Sequence, residues 1–181
     1  SQLMLYAATG NTEKLAGVEA DVQTINAFSS DAGSPLLLAV EYKNIECVDM
    51  LLKRGADPNN FVFGSGELSP LGCAIKTQSP SIVRLLLSRG ANPSIPINQQ
   101  GVTALHLAAI IGTRSFVRDL CGAAPDLNPM TSESEITPFM EACRAGNVGA
   151  ASAFIDAGVN VDFFSYLACR INHYHINQHL L

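Results

Sequence analysis

The chain has 181 residues, of which 48% are hydrophobic and 15% are charged, and its formal net charge is −5. This composition excludes an intrinsically disordered protein, because disorder requires low hydrophobicity together with high net charge. The acidic balance disfavours a nucleic-acid-binding protein, since such proteins neutralise phosphates with a basic surface. The sequence contains no apolar run of about 18 residues, the length that would span a bilayer, so we expect no membrane insertion.

The five cysteines predict neither a disulfide framework nor a zinc site, because their number is odd and no two of them form a CxxC pair. Cysteine often replaces a small apolar residue in proteins of reducing compartments. We therefore expect cysteines that pack in the core of a cytoplasmic or nuclear protein.

Taken from the amino end, the first patterned segment is 5–15, which is typical of the end of one helix, a turn and the start of another. A short motif then recurs every 34 or 35 residues: a hydroxyl residue, Pro or Ala, and a large apolar residue. Its copies are Ser34-Pro35-Leu36, Ser69-Pro70-Leu71, Thr103-Ala104-Leu105 and Thr137-Pro138-Phe139. The hydroxyl oxygen can cap a helix, and proline suits the first helical position because it has no N–H to leave unpaired. Each copy therefore predicts a helix start.

A second helix is predicted in each repeat by apolar residues at helical spacing, as in residues 45–52. It is predicted to end at a glycine, which adopts the left-handed conformation without steric cost. The predicted stops are Gly55, Gly90 and Gly158, whereas Ala124 takes the equivalent position in the third copy.

The repeated pattern resembles the ankyrin repeat family, whose signature is TPLHxAAxxG followed by a second helix and LLxxGADxN. Residues 101–112 (GVTALHLAAIIG) match the first half with one departure at Ala104, and residues 51–59 (LLKRGADPN) match the second half. Lys43 and Gln78 replace the glycine between the two helices, which predicts a conformational cost in those copies. The resemblance implies an all-α fold: an ankyrin repeat solenoid of about six helix–turn–helix units with extended, β-hairpin-like fingers.

We expect one ankyrin repeat domain over residues 1–181. Its predicted units are an N-terminal partial repeat (1–28), four repeats (29–62, 63–97, 98–131 and 132–162) and a C-terminal capping or truncated repeat (163–181). The last unit is expected to cap or to end the array, since terminal repeats shield its core from water.

The four histidines are the candidate catalytic or metal-binding groups. His106 belongs to the TPLH-type motif, where the resemblance implies that it and the threonine hold the repeat together by hydrogen bonds. His173, His175 and His179 cluster near the end of the chain, but no carboxylate or cysteine is placed to complete a metal site. The sequence also lacks the GxGxxG, GxxxxGK[ST], HExxH and GxSxG motifs. We therefore expect no enzymatic activity, no cofactor and no metal.

The resemblance implies that two kinds of position point toward the concave side of the stack. They are the residues just before each TPLH-type motif and the two residues after the small-residue pair of the first helix. The corresponding residues are Glu41, Tyr42, Lys76, Thr77, Gln100, Val102, Ile110, Ile111, Ile136 and Arg144. Several are apolar or aromatic, which favours a surface that binds a partner. The alternative for Ile110 or Ile111 is that one of them is half-buried against the next repeat.

The fingers are a second candidate binding region. Phe61 and Phe63 alternate with Val62 at strand spacing, so both rings are expected on one face. They either pack onto neighbouring fingers or contact a partner. In the loop at residues 94–98, Ile95 and Ile97 are expected to be exposed, with the same two roles open.

We interpret the chain as a non-enzymatic protein–protein interaction module, or scaffold, that binds a partner protein or peptide on its concave face and fingers, and as a monomer by default. The alternative is a partner- or substrate-recruiting ankyrin domain of a larger enzyme, ubiquitin-ligase adaptor or ion channel. The missing initial methionine and the abrupt end at Leu181 leave that alternative open.

Overall fold

The computed structural model describes residues 2–29, 33–60, 69–97, 100–132 and 134–161. These ranges contain eleven α-helices and no strand, and extended backbone pairs only at two isolated antiparallel bridges. The chain divides into two compact units, Ser1–Ala91 (unit 1) and Asn92–Leu181 (unit 2). The expected all-α fold is therefore confirmed.

Unit 1 has two rows of helices within the residues described. Its helices are α1 (Gln2–Thr9), α2 (Thr12–Gly17), α3 (Val22–Ile25), α4 (Pro35–Glu41), α5 (Ile45–Lys53), α6 (Pro70–Lys76) and α7 (Pro80–Ser88). The inner row is formed by α4 packed between α1 and α6, and the outer row by α5 packed between α2 and α7. Ala39 on α4 and Ala74 on α6 are completely buried, and such small side chains let neighbouring inner helices approach closely.

Unit 2 repeats the same arrangement with two helix pairs in its described part. They are α8 (Ala104–Ile111) with α9 (Arg114–Ala123), and α10 (Pro138–Ala145) with α11 (Val148–Asp156). The inner helices α8 and α10 pack together, as do the outer helices α9 and α11. Ala108 and Ala142 are completely buried on the inner helices. Among the described helices of both units, none combines the length and the apolar character that a bilayer-spanning segment needs.

The hydroxyl residues of the repeated motif begin the inner helices, as predicted. Backbone N–H groups donate to the hydroxyl oxygens of Ser34, Ser69 and Thr137, from Leu37 at 3.1 Å, Gly72 at 3.2 Å and Met140 at 3.3 Å. Proline occupies the first turn of α4, α6 and α10. Because Ser34 and Ser69 are buried, these bonds satisfy helix N–H groups that water reaches poorly.

The predicted glycine stops of the outer helices are also confirmed. Gly55, Gly90 and Gly158 have left-handed backbone, with φ of +93°, +88° and +83°. Ala124 instead follows α9 with φ of −79° and extended backbone. The third copy therefore leaves its outer helix without a left-handed residue, which removes the steric cost that alanine would carry there.

The turns between inner and outer helices differ between copies. Lys43 and Gln78 are left-handed, with φ of +60° and +54°, where Gly146 has +70°, so the predicted strain at the two non-glycine residues is present. Gly112 has φ of −77° and is required for another reason. A Cβ there would lie 2.5 Å from the carbonyl oxygen of Ala108, closer than side chains can approach.

The loops that follow the outer helices share a side-chain turn. The side-chain oxygens of Asp57, Asn92 and Asp126 accept backbone N–H bonds at 2.9 Å from the residues two positions on, Asn59, Ser94 and Asn128. This is the asparagine or aspartate turn that starts many loops. Two isolated antiparallel bridges, Ser29 with Gly33 and Pro96 with Thr103, occur in the described loops before α4 and α8.

The cysteines do not all behave as expected. Cys47 is completely buried and Cys121 is half-buried, and burial raises the pKa of both thiols, that of Cys121 to about 11. Both therefore stay protonated at neutral pH, as packing residues do. Cys143 on α10 is disulfide-bonded. This corrects the expectation that the cysteines pack as thiols.

Candidate functional site

The ends of inner helices α4 and α6 bring together four of the predicted binding residues. Glu41 ends α4 and Tyr42 caps it, while Lys76 ends α6 and Thr77 caps it. Because α4 and α6 pack side by side, these residues lie at the same end of the inner row. Tyr42 is 60% exposed, and Glu41 and Lys76 are also exposed.

Thr77 has an internal role as well. Its hydroxyl donates to the backbone oxygen of Cys73 at 2.9 Å and lies 3.2 Å from the hydroxyl of Ser79. The side chain is half-buried and holds the end of α6 against the turn that follows. A partner would contact mainly its neighbours.

Sequence reasoning did not include Lys43 and Gln78 among the candidate binding residues. Both are exposed and directly follow Tyr42 and Thr77 at the left-handed turn positions. We define the unit 1 surface as residues 41–43 together with 76–78. The replacement of glycine by larger side chains in these turns is the sequence signal that could have identified them.

The end of α8 forms the corresponding surface in unit 2. Ile110 and Ile111 are 42% and 44% exposed, so neither is the buried member of the pair. The side-chain amide of Asn147 donates to the backbone oxygen of Gly112 at 2.8 Å. This bond fixes the turn after α10 to the turn after α8 and places Arg144, at the end of α10, on the same side. We define the unit 2 surface as Ile110, Ile111 and Arg144.

Arg144 forms an ion pair within its own helix. Its guanidinium lies 2.7 Å from the carboxylate of Glu141, and the two side chains are 60% and 11% exposed. The pair leaves further guanidinium N–H groups for other acceptors, since arginine has five donors.

The three remaining described candidates are loop residues whose backbone oxygens accept hydrogen bonds. Gln100 accepts from the N–H of Ser132 at 2.8 Å, and Val102 accepts from the N–H of Ile97 at 2.7 Å. Ile136 accepts from His106. Gln100 is exposed, whereas Val102 and Ile136 are half-buried, so the structure places these residues in the loops and not with the helix-end surfaces.

His106 is a structural residue in this geometry. It is 2% exposed, and its Nδ1 accepts the backbone N–H of Thr103 at 3.2 Å. Its Nε2 lies 3.0 Å from the backbone oxygen of Ile136, which can only accept, so Nε2 carries the proton. Burial lowers the pKa of His106, against the raising effects of the Ile136 bond and the Glu141 charge. Both ring nitrogens of the neutral side chain are therefore occupied, which leaves none for catalysis.

Two finger expectations have different outcomes. Phe61 and Phe63 lie outside the described residues. In the next loop Ile95 is half-buried, and Ile97 is only 7% exposed, so the expected exposure of Ile97 is wrong. Its N–H donates to the backbone oxygen of Val102 and closes the loop.

No group of three or more acidic, histidine or cysteine side chains able to hold a metal lies within the described ranges. His173, His175 and His179 are outside them.

Unit 1 also contains an open groove of about 700 Å³ that the sequence did not indicate. It is lined by Ala16, Val18, Glu19, Ala20, Asp21, Thr24 and Arg54. Arg54 donates to the backbone oxygens of Leu15 and Val18 at 2.8 and 2.5 Å. The pKa of Asp21 is lowered by its hydrogen bonds with Thr24. Arg54 and Asp21, two charged residues of the groove, therefore form hydrogen bonds that stabilise the local fold.

The fold agrees with what the chain is similar to. A family model for ankyrin repeats (3 copies) matches residues 36–131, more than half of the chain. No curated protein shows a significant match. Ankyrin repeats are generally protein–protein interaction modules and are typically non-enzymatic. The chain therefore belongs to the ankyrin repeat family.

Proposed function

We propose that this chain is a non-enzymatic module that binds a partner protein or peptide through the concave face and fingers of a stack of about six repeats. The observation that carries the proposal is the exposure of Ile110 and Ile111, 42% and 44%, on a helix whose Leu105 and Ala108 are completely buried. The buried face holds α8 in place, so the exposed pair is presented on a rigid support.

Rigid presentation favours binding because little conformational entropy is lost when a partner docks. Full burial of an isoleucine side chain contributes about 1.5–3 kcal/mol, so covering the exposed part of each one contributes roughly 1 kcal/mol. Aromatic side chains are frequent anchors at interfaces, and Tyr42 offers one in unit 1. Each unit therefore presents at least one anchor of its own.

We also propose that Phe61 and Phe63 contribute to binding, that the repeats divide after residues 28, 62, 97, 131 and 162, and that the protein lies in the cytoplasm or nucleus. The alternation of Phe61 and Phe63 with Val62 supports the fingers as a second contact region.

The test uses the 181-residue chain as bait in an extract of the source organism, with captured proteins identified by mass spectrometry. A Tyr42→Ala/Ile110→Ser/Ile111→Ser variant removes the anchors of both surfaces. The control is Val22→Ser, which removes a side chain of similar exposure, 57%, from α3. Thermal melting establishes that each variant is folded, and hydrogen exchange maps the footprint of a captured protein.

We expect a partner that binds the wild type and the Val22→Ser control, is lost from the triple variant, and protects residues at the ends of the inner helices. A partner captured equally by all three proteins, with its footprint on the outer helices, would show that the proposed surfaces are wrong.

A further inference from the structure

We propose that the unit 1 surface, residues 41–43 and 76–78, binds an acidic segment of the partner protein. This inference rests on the proposed function and names the chemistry of the partner. Lys43 and Lys76 are exposed, and within the described residues no carboxylate forms an ion pair with either of them.

Other cations of unit 1 are already engaged. Lys53 lies 2.7 Å and Arg89 lies 2.6 Å from the carboxylate of Asp49. The pair with Arg89 joins one repeat to the next. Lys14 lies over the ring of Tyr6, at 5.8 Å from its centroid. No ion pair or ring contact among the described residues of unit 1 engages Lys43 or Lys76 in this way, so their charges are available to a partner.

The charges of unit 1 are also unevenly distributed. Its described carboxylates lie on the outer helices and in the loops, with the exception of Glu41; they are Glu13, Glu19, Asp21, Glu46, Asp49 and Asp57. The inner-helix ends therefore carry two lysines against one glutamate, on a chain whose formal net charge is −5. A local positive surface of this kind attracts an acidic segment and disfavours a basic one.

The same surface supplies an apolar anchor and shaped turns. Tyr42 is 60% exposed beside Lys43. Lys43 and Gln78 have left-handed backbone, with φ of +60° and +54°. This conformation costs a non-glycine residue about 1 kcal/mol or more, yet neither position is occupied by glycine. A partner segment that combines carboxylates with an apolar side chain fits this arrangement.

The experiment selects random peptides displayed on phage against the immobilised 181-residue chain at low ionic strength, where exposed charges are least screened. One enriched peptide is synthesised with a fluorescent label, and its affinity is measured by anisotropy. The variants are Lys43→Glu, Lys76→Glu, the double variant and Glu41→Gln. Arg118→Glu is the matched control, since Arg118 is exposed on outer helix α9 and its reversal changes the net charge equally.

We expect enrichment of aspartate and glutamate among the selected peptides. Each lysine reversal should weaken binding about threefold and the double variant about tenfold, in line with the strength of exposed charge pairs. Glu41→Gln should tighten binding, and Arg118→Glu should leave it within about twofold.

Selected peptides without acidic enrichment, an empty selection, or equal weakening by Arg118→Glu would each overturn the inference. The proposed function is judged separately. If a partner is lost with the Ile110 and Ile111 substitutions but captured fully by the lysine double variant, the interaction module stands and the acidic specificity of unit 1 does not.

Discussion

Single residues in this chain join successive repeats through groups that lie far apart in sequence. His106 connects the start of α8, through Thr103, to the loop before α10, through Ile136. Asn44 does the same in unit 1, where its side-chain amide donates to the backbone oxygens of Ala7 and Ala8 at 2.8 and 2.9 Å. Such bonds are effective because they satisfy backbone groups that lie between packed elements.

The state of His106 predicts a pH-dependent stability. Burial lowers its pKa in the folded chain, so the unfolded chain takes up the proton first as the pH falls. The stabilising contribution is complete above the ordinary value near 6.5 and is lost as the pH falls from there toward the folded pKa, by at most about 1.4 kcal/mol per pH unit. Urea unfolding of the wild type and His106→Gln, at pH 7.5 and at 5.5, measures this contribution.

We expect His106→Gln to be less stable than the wild type by about 1–2 kcal/mol at pH 7.5 and the difference to shrink at pH 5.5. The other titratable groups are common to both proteins, so their contributions cancel in the difference between the two free energies of unfolding. An equal difference at the two pH values would mean that the folded chain holds His106 protonated as easily as the unfolded chain does.

At the scale of helices and turns, local signals decide where elements begin and end. Hydroxyl caps, a proline in the first turn and a left-handed glycine act within three or four residues, and the structure places them where the pattern predicted, at Ser34, Ser69, Thr137, Gly55 and Gly90. The turns at Lys43 and Gln78 follow the same backbone path at a conformational cost. At these two turns we expect the side chains that favour binding to lower the stability of the chain.

Lys43→Gly should therefore stabilise the chain by about 0.5–1 kcal/mol, after allowance for the greater freedom of glycine in the unfolded state. Gly90→Ala is the converse control: φ is +88° and no atom lies within 4 Å of the added Cβ, so its cost of about 1 kcal/mol reports the backbone alone. Urea unfolding measures both. Unchanged or lower stability in Lys43→Gly would contradict the strain, and a stabilised variant with weaker peptide binding would show that the lysine serves a partner.

For the molecule as a whole, stability depends on close contact between neighbouring inner helices. Ala39 and Ala74 in unit 1, and Ala108 and Ala142 in unit 2, are completely buried. In repeat proteins each unit is stabilised mainly by its nearest neighbours, so a larger side chain at these positions separates two repeats at once.

Ala74→Leu and Ala142→Leu are each expected to destabilise the chain by about 1–3 kcal/mol, the usual cost of overpacking a filled core. Ala16→Leu is the control, because Ala16 is exposed on α2 and the change there should stay within about 0.5 kcal/mol. Unfolding midpoints in urea provide the comparison. Tolerance of leucine at Ala74 would mean that α4 and α6 are not packed as closely as the structure has them.

Much of the fold could be predicted from the sequence, but less of the candidate site could. The positions of Glu41, Tyr42 and Lys76 at exposed helix ends follow from the repeat register. The burial of Ile97, the disulfide at Cys143 and the groove beside Arg54 could not be predicted. Each of these depends on which other segment lies opposite, and that information is absent from a local pattern.

The sequence by itself determined the repeat period, the helix starts and stops, the all-α repeat fold and the family, because capping, backbone conformation and helical periodicity act over a few residues and recur every 34 or 35. The tertiary structure alone decided that both isoleucines of α8 are exposed, that His106 is bonded to Ile136 and that Asp49 engages Arg89. It also decided that no carboxylate in the described part of the chain pairs with Lys43 or Lys76. Exposure and pairing depend on groups about 30 to 40 residues apart, and only packing of one repeat on the next brings those groups together.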